Sequence, residues 1–274
     1  MTLDPSWSRP RLYPIDGGTI AVHAIEVHVA DHCNLRCAGC CVLSPLAARR
    51  FLDPEIFARD LAWTKQALRP SIFKLTGGEP LLSPHVVEIA RIAKASAVAP
   101  VLSLTTNGVL ADRAPDALFE VLDALTVSVY PGVGIDEASL ARLHDRAARF
   151  GVRVNEKRQP ELQAMTRPSR SDAATTSTVY ETCWLRHRCH LLRDGVFYSC
   201  SRPPGIDALE DEGGRVLATD GVSLEPRAGL VRELRHLLER TEPLASCARC
   251  YGGTGAFVPY RALTRAEITA RRPE

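Results

Sequence analysis

The stretch Cys33-Asn34-Leu35-Arg36-Cys37-Ala38-Gly39-Cys40 places three thiols in a C-x3-C-x2-C spacing. It directly follows an apolar run, Ala24 to Ala30, which predicts a buried strand. Because the loop is short, its three thiolates can converge on a single metal centre. Iron–sulfur clusters are held by cysteine thiolates and usually use four of them, so a cluster given three keeps one iron open. A zinc site and a set of structural thiols are the alternatives.

A second stretch supports the iron–sulfur interpretation. Ile72 to Thr76 predicts the next strand, and this strand ends in Gly77-Gly78-Glu79-Pro80. With both motifs in this order, the chain resembles the radical S-adenosylmethionine (SAM) superfamily, whose cysteine loop and GGE(P) turn follow the first two strands of a partial α/β barrel. The resemblance implies a 4Fe-4S cluster on Cys33, Cys37 and Cys40, with SAM chelated to the open iron.

The same resemblance implies roles for residues around SAM. The turn formed by Gly77, Gly78, Glu79 and Pro80 would hold the amino group of SAM, while Thr105, Asn107 and Ser128 would approach its ribose or carboxylate. One-electron cleavage of SAM would then give a radical that abstracts hydrogen from the substrate. Gly39 departs from the family pattern, because an aromatic residue often stands before the third cysteine and stacks near adenine.

Composition excludes several classes of protein. The chain of 274 residues is 45% hydrophobic and 24% charged with a formal net charge of +2, which favours a globular protein and gives no electrostatic footprint for nucleic acid. No apolar run reaches the roughly 18–20 residues needed to cross a bilayer. Nine cysteines without a secretory signal indicate metal ligation in a reducing compartment. We therefore expect a cytoplasmic protein with no membrane or nucleic-acid partner.

Strand and helix patterns alternate through the first half of the chain. Further strands are predicted at 101–105, 125–130 and 152–156, and helices at 53–68, 83–97, 115–122 and 136–150. This alternation is typical of parallel βα units. Five strands and four helices precede the break near Pro160, whereas the superfamily usually adds a sixth strand. We therefore predict an N-terminal extension (1–23) and a truncated partial (β/α) radical SAM barrel (24–160).

Five more cysteines follow a polar segment, 161–182, which we interpret as a linker. The Asp194-Gly195 pair predicts a hairpin between Cys189 and Cys200. The cysteine order resembles the twitch domain, a truncated SPASM domain, and implies a small auxiliary cluster domain (183–260) before a C-terminal helix or tail (261–274). The implied ligands of this second 4Fe-4S cluster are Cys183, Cys200, Cys247 and Cys250. Cys189 could replace Cys183, and structural zinc would fit the C-x2-C pair equally well.

The chain from about residue 24 to 251 resembles the radical SAM dehydrogenases that oxidise deoxy-scyllo-inosamine in aminoglycoside biosynthesis. The resemblance implies a small sugar or cyclitol-like substrate and an external one-electron reductant such as flavodoxin or ferredoxin. Polar residues alternate with apolar ones on the first and fifth strands, and one of them could deprotonate the substrate hydroxyl. With Lys74 of the second strand added, the candidates for substrate orientation and acid–base work are Glu26, His28, Lys74, Arg153, Asn155 and Lys157.

Two cysteines remain once seven are assigned to clusters. Cys41 or Cys189 could donate hydrogen in a redox-neutral epimerase, although spare buried cysteines more often serve as small apolar residues. Peptide modification and a non-catalytic zinc-binding module are further alternatives. The zinc module leaves the GGEP turn unexplained.

Overall fold

The computed structural model describes residues 13–210 and 215–270. Its strands are β1 (Ile15–Asp16), β2 (Thr19–Ala30), β3 (Leu68–Gly77), β4 (Val101–Thr106), β5 (Ala124–Val129), β6 (Arg153–Arg158), β7 (Glu161–Gln163), β8 (His190–Arg193), β9 (Val196–Tyr198), β10 (Gly221–Ser223) and β11 (Phe257–Pro259). Its α-helices are α1 (Pro54–Ala67), α2 (Val86–Ser96), α3 (Asp116–Phe119), α4 (Glu137–Arg149), α5 (Ala173–Thr182), α6 (Pro203–Glu210), α7 (Arg215–Asp220), α8 (Leu230–Glu239) and α9 (Arg265–Thr269).

One twisted sheet carries most of the fold. Its strand order is β10-β9-β8-β2-β3-β4-β5-β6, and β2 to β6 run parallel as predicted. The register pairs Glu26 with Lys74 and Ser128 with Lys157. Since paired residues of parallel strands point to the same face, polar side chains of several strands share one surface. The predicted α/β partial barrel is confirmed.

The helices cover the opposite face because their apolar residues recur at helical spacing. Asp53 caps α1 by accepting hydrogen bonds from the backbone of Glu55 and Ile56. This cap lets Phe57 and Leu61 point into the core, where both are fully buried. Packing of the helices in the core therefore holds the sheet in place. The functional motifs lie at the ends of the strands of this sheet, so their relative positions are set by it.

Several predicted boundaries were wrong. β2 begins at Thr19, so the sheet starts before the predicted boundary at residue 24, while residues 1–12 of the predicted extension and 271–274 of the predicted tail lie outside the described residues. β3 begins at Leu68 and includes Pro70, which a strand tolerates near its start. The helix predicted at 115–122 spans only α3.

The segment predicted as a linker is structured. β7 pairs with β11, and α5 begins after Asp172, whose side chain accepts a hydrogen bond from the backbone of Thr175. The sequence of α5 shows little hydrophobic periodicity, because few of its residues face the core. The predicted hairpin at Asp194-Gly195 is confirmed: both residues have positive φ, and β8 pairs in parallel with β2. The cysteine-rich C-terminal part therefore extends the main sheet. None of the helices in the described ranges is long and apolar enough to cross a membrane.

Candidate active site

The GGEP turn packs directly against the segment that leads into the cysteine loop. Gly78 donates its backbone N–H to the carbonyl of Ala30 at 2.7 Å, and Glu79 donates to the carbonyl of His32 at 3.1 Å. Gly77 has φ of +124°, and a Cβ at Gly77 or Gly78 would collide with this same backbone. Both glycines are thus required for the close approach of the two motifs.

Glu79 is fully buried and ties the turn to the end of β4. Its carboxylate accepts hydrogen bonds from the backbone of Asn107 at 2.8 Å, the Thr106 hydroxyl at 2.8 Å and the backbone of Leu81 at 3.0 Å. Burial raises the pKa of Glu79, and these hydrogen bonds oppose that effect. The side chain therefore acts as an internal clamp beneath the turn.

Asn107 joins this clamp to the cysteine loop. Its side-chain amide donates to Asn34 Oδ1 at 2.7 Å and lies 3.5 Å from the Sγ atom of Cys33. Ser128 is buried at the end of β5, two residues before Tyr130, while Thr105 is half-buried on β4. The structure thus brings the three residues predicted near SAM to one edge of the sheet.

The three thiols of the loop are neighbours in a desolvated setting. Burial raises the pKa of Cys33 to about 12, with smaller contributions from Cys40 and Cys37, and it also raises the pKa values of Cys37 and Cys40. Thiols that burial keeps protonated become thiolate ligands when a metal displaces their protons. Three soft donors at one strand end fit an iron–sulfur cluster with an open iron.

A second set of thiols surrounds an enclosed cavity. Cys183, Cys200, Cys247 and Cys250 line it, together with apolar side chains such as Val179 and Leu244. Burial raises the pKa values of Cys183, Cys200 and Cys247. Cys189 does not line this cavity. Within residues 13–210 and 215–270, no three His, Cys, Asp or Glu side chains are arranged to hold a single metal ion.

Several predicted catalytic residues come together between these two sets. Burial raises the pKa of Cys189 to about 12, and the charges of Glu26 and Lys74 and the neighbouring Cys41 thiol also act on it. Burial raises the pKa of Cys41 to about 11, with contributions from Cys40, Arg202, Glu26 and Lys157. The Cys41 side chain nevertheless keeps access to solvent.

Two other candidates lie apart from this group. His28 is buried beside Asp31, at 3.8 Å, and Asp31 in turn accepts two hydrogen bonds of 2.8 and 2.9 Å from Arg193. Arg153 begins β6, where its backbone bonds to Asp123, at the end of the strand opposite to Lys157. The structure therefore places His28 in an ion-pair network and Arg153 at the other end of β6 from Lys157.

Sequence reasoning missed two tyrosines beside the cysteine loop. The Cys37 thiol donates to the Tyr260 hydroxyl at 3.7 Å, and the Tyr260 ring packs on Tyr130 with centroids 5.0 Å apart. Leu162 of β7 covers Gly39, leaving no space for the aromatic residue often found there. Tyr130 could have been noticed as a strand-end residue, but 223 positions separate Tyr260 from Cys37.

Comparison with known proteins agrees with this geometry. Residues 27–152 match the family model of the Radical SAM superfamily. Residues 27–152, a little under half of the chain, therefore match a radical SAM domain. The predicted superfamily is therefore confirmed for this stretch, and the family implies a 4Fe-4S cluster and SAM. The three-thiol loop and the turn packed against it are the residues that fit these cofactors.

Curated relatives resemble only part of the chain. A GTP 3′,8-cyclase from Chlorobaculum tepidum is 37% identical over 109 residues, which cover 39% of this chain and 33% of the relative. A GTP 3′,8-cyclase 2 from Mycobacterium bovis is 34% identical over 146 residues, covering 50% and 40% respectively. The matches therefore span less than half of each relative's length.

A solved structure shares the fold over more of the chain. The crystal structure of BtrN in complex with AdoMet and 2-DOIA superposes with a TM-score of 0.52 and 14% identity. The alignment covers 80% of this chain and 87% of BtrN. This likeness supports the architecture of the radical SAM domain together with its C-terminal extension.

Proposed function

We propose that this radical SAM protein oxidises an alcohol carbon of a small sugar or cyclitol-like molecule and uses a second 4Fe-4S cluster as electron acceptor. The single observation that carries the proposal is the cavity lined by four cysteines, one of which, Cys200, follows β9 of the sheet that also carries the three-cysteine loop. Four thiolates would saturate a cluster, which suits it to electron transfer.

The residues of the strand ends would hold the first cofactors. Cys33, Cys37 and Cys40 would ligate the cluster, and the backbone of the GGEP turn together with Thr105, Asn107 and Ser128 would bind SAM. The cofactors, when bound, supply a 5′-deoxyadenosyl radical that takes a hydrogen atom from the substrate. Glu79 would keep the turn in place, and Tyr130 and Tyr260 would cover the loop from solvent.

The polar face of the sheet would bind the substrate. Oxidation of an alcohol to a ketone removes one hydrogen atom, one proton and one electron. Glu26 is our candidate for the base that accepts the hydroxyl proton on a carboxylate oxygen, because it pairs in register with Lys74 and because the charges of Glu26 and Lys157 both act on Cys41. The two ammonium groups would orient the hydroxyls. An external one-electron reductant would serve the first cluster.

Product analysis tests this proposal. Anaerobically reconstituted protein is incubated with SAM, a reductant and a panel of sugars, amino sugars and cyclitols, with GTP included because the curated relatives are named GTP 3′,8-cyclases. We expect a ketone two hydrogens lighter than its substrate. A product of unchanged mass, or conversion of GTP alone, would contradict the assignment. The matched control is Cys33→Ala.

A redox-neutral epimerase is the second candidate, and the placement of Cys189 favours it. This thiol does not line the four-cysteine cavity, and it lies near Glu26 and Lys74, where substrate would bind. A thiol there could return a hydrogen atom to the opposite face of a substrate radical. Incorporation of solvent deuterium at one carbon, abolished in Cys189→Ala but not in Cys41→Ala, would support this function.

A further inference from the structure

Two arginines contribute to the wall of the four-cysteine cavity. Arg202 follows the hairpin that presents Cys200, and only 3% of its surface is exposed. Arg186 follows α5 and also lines the cavity. Burying a guanidinium group is costly unless an anion lies nearby, since the charge loses its hydration. The two guanidinium groups therefore need an anion near the cavity.

The protein contacts of Arg202 leave its charge unbalanced. One terminal nitrogen donates to the carbonyl of Cys41, and the other donates to the Thr166 hydroxyl at 2.7 Å. Its Nε atom is buried and has no hydrogen-bond acceptor. In the described part of the chain, no Asp or Glu side chain forms an ion pair with Arg202.

Arg186 shows the same pattern. It donates to the carbonyl of Arg240 at 3.2 Å and stacks on the Tyr180 ring at 4.2 Å, and its buried Nε atom also lacks an acceptor. No carboxylate among residues 13–210 and 215–270 pairs with it. Two guanidinium groups thus line one cavity whose other polar groups include four thiols. Deprotonated thiols are the anions that this arrangement lacks.

We propose that Arg202, assisted by Arg186, is the counter-cation of the auxiliary cluster and raises its reduction potential. The inference rests on the second cluster of the proposed function. Four thiolates outweigh the positive charge of an iron–sulfur core, so the cluster is anionic and becomes more so on reduction. A neighbouring positive charge therefore favours the reduced form, and hydrogen bonds toward cluster sulfur act in the same direction.

Arg202 also connects the two centres physically. The Cys41 carbonyl that it binds belongs to the residue directly after Cys40, the last predicted ligand of the first cluster. Arg202 is therefore a positioning residue for the loop as well as a source of charge for the cavity. Arg186 has no contact with the cysteine loop in the described residues, so a change at Arg186 removes a positive charge from the cavity without removing the contact with Cys41.

Redox titration of the reconstituted holoenzyme tests the proposal. The auxiliary cluster is followed by electron paramagnetic resonance as the signal that SAM does not perturb, because only a cluster with an open iron binds SAM. We expect a lower midpoint potential in Arg202→Gln and Arg186→Gln, and a potential closer to that of the wild type in Arg202→Lys, which keeps the charge. Arg142→Gln, at an exposed arginine on α4, is the control.

The outcomes separate this inference from the proposed function. If the wild-type protein binds iron and sulfide for only one cluster, the proposed function fails and the inference falls with it. If two clusters are present and both Gln variants keep the wild-type midpoint potential, the counter-cation role is wrong while the auxiliary cluster stands. Should Arg202→Gln lose the cluster, the potential of Arg186→Gln decides: a lowered value supports the role and an unchanged value contradicts it.

Discussion

The backbone N–H of Asn107 donates a 2.8 Å hydrogen bond to the buried carboxylate of Glu79. Through its side chain, Asn107 also holds Asn34 in the cysteine loop. The turn after β3, the end of β4 and the loop after β2 are therefore one connected unit. Because the unit is built on hydrogen bonds to a single buried carboxylate, loss of that carboxylate should disturb all three parts.

Glu79→Gln tests this unit. The amide keeps the shape but replaces one acceptor oxygen with a donor, so a buried N–H or hydroxyl loses its partner at a cost of about 1–3 kcal/mol. We expect a lower melting temperature and weaker SAM binding, measured by calorimetry, with the iron content retained. Glu88→Gln, at an exposed position on α2, is the matched control. Equal SAM affinity in both variants would show that the clamp is not needed.

Cys183→Ala and Cys189→Ala distinguish the ligands of the auxiliary cluster. Only Cys183 lines the four-cysteine cavity. We expect Cys183→Ala to lose about half of the iron and sulfide, because two clusters of equal size are proposed. Cys189→Ala should retain both clusters. The reverse result in the same iron and sulfide assay would make Cys189 the ligand.

Glu26→Gln tests the proposed base. We expect ketone formation to fall by about 10²–10⁴-fold, the usual contribution of a general base. Cleavage of SAM to 5′-deoxyadenosine should continue, so the two products become uncoupled. Arg153→Gln serves as the control, since Arg153 lies at the opposite end of β6 from Lys157. A Glu26→Gln variant with unchanged ketone yield would exclude Glu26 as the base.

Buried His190 predicts how stability depends on pH. Burial lowers its pKa to about 4, while its Nδ1 atom lies 3.1 Å from the Ser199 carbonyl. The unfolded chain takes up this proton near pH 6.5, so the native state loses up to about 1.4 kcal/mol per pH unit as the pH falls from 6.5 toward 4. Anaerobic melting temperatures at pH 7.5 and 5.5 should therefore differ less in His190→Gln than in the wild type. Parallel pH dependences would contradict this assignment.

Local patterns predicted much of the fold and the first motif. The Asp53 cap, the Asp194-Gly195 turn and the two motifs at strand ends are set by residues close in sequence, so they could be recognised directly. The contacts of Arg202 with Cys41 and of Tyr260 with Cys37 join residues 161 and 223 positions apart. No local pattern marks them, because they arise only when β7 pairs with β11 and the hairpin joins the edge of β2.

The most direct measurement is the formation of 5′-deoxyadenosine from SAM by anaerobically reconstituted protein under a strong one-electron reductant. Our account predicts its release by the wild-type protein and none by Cys37→Ala. Wild-type protein that carries its full iron and sulfide, yet releases no 5′-deoxyadenosine, would contradict the account.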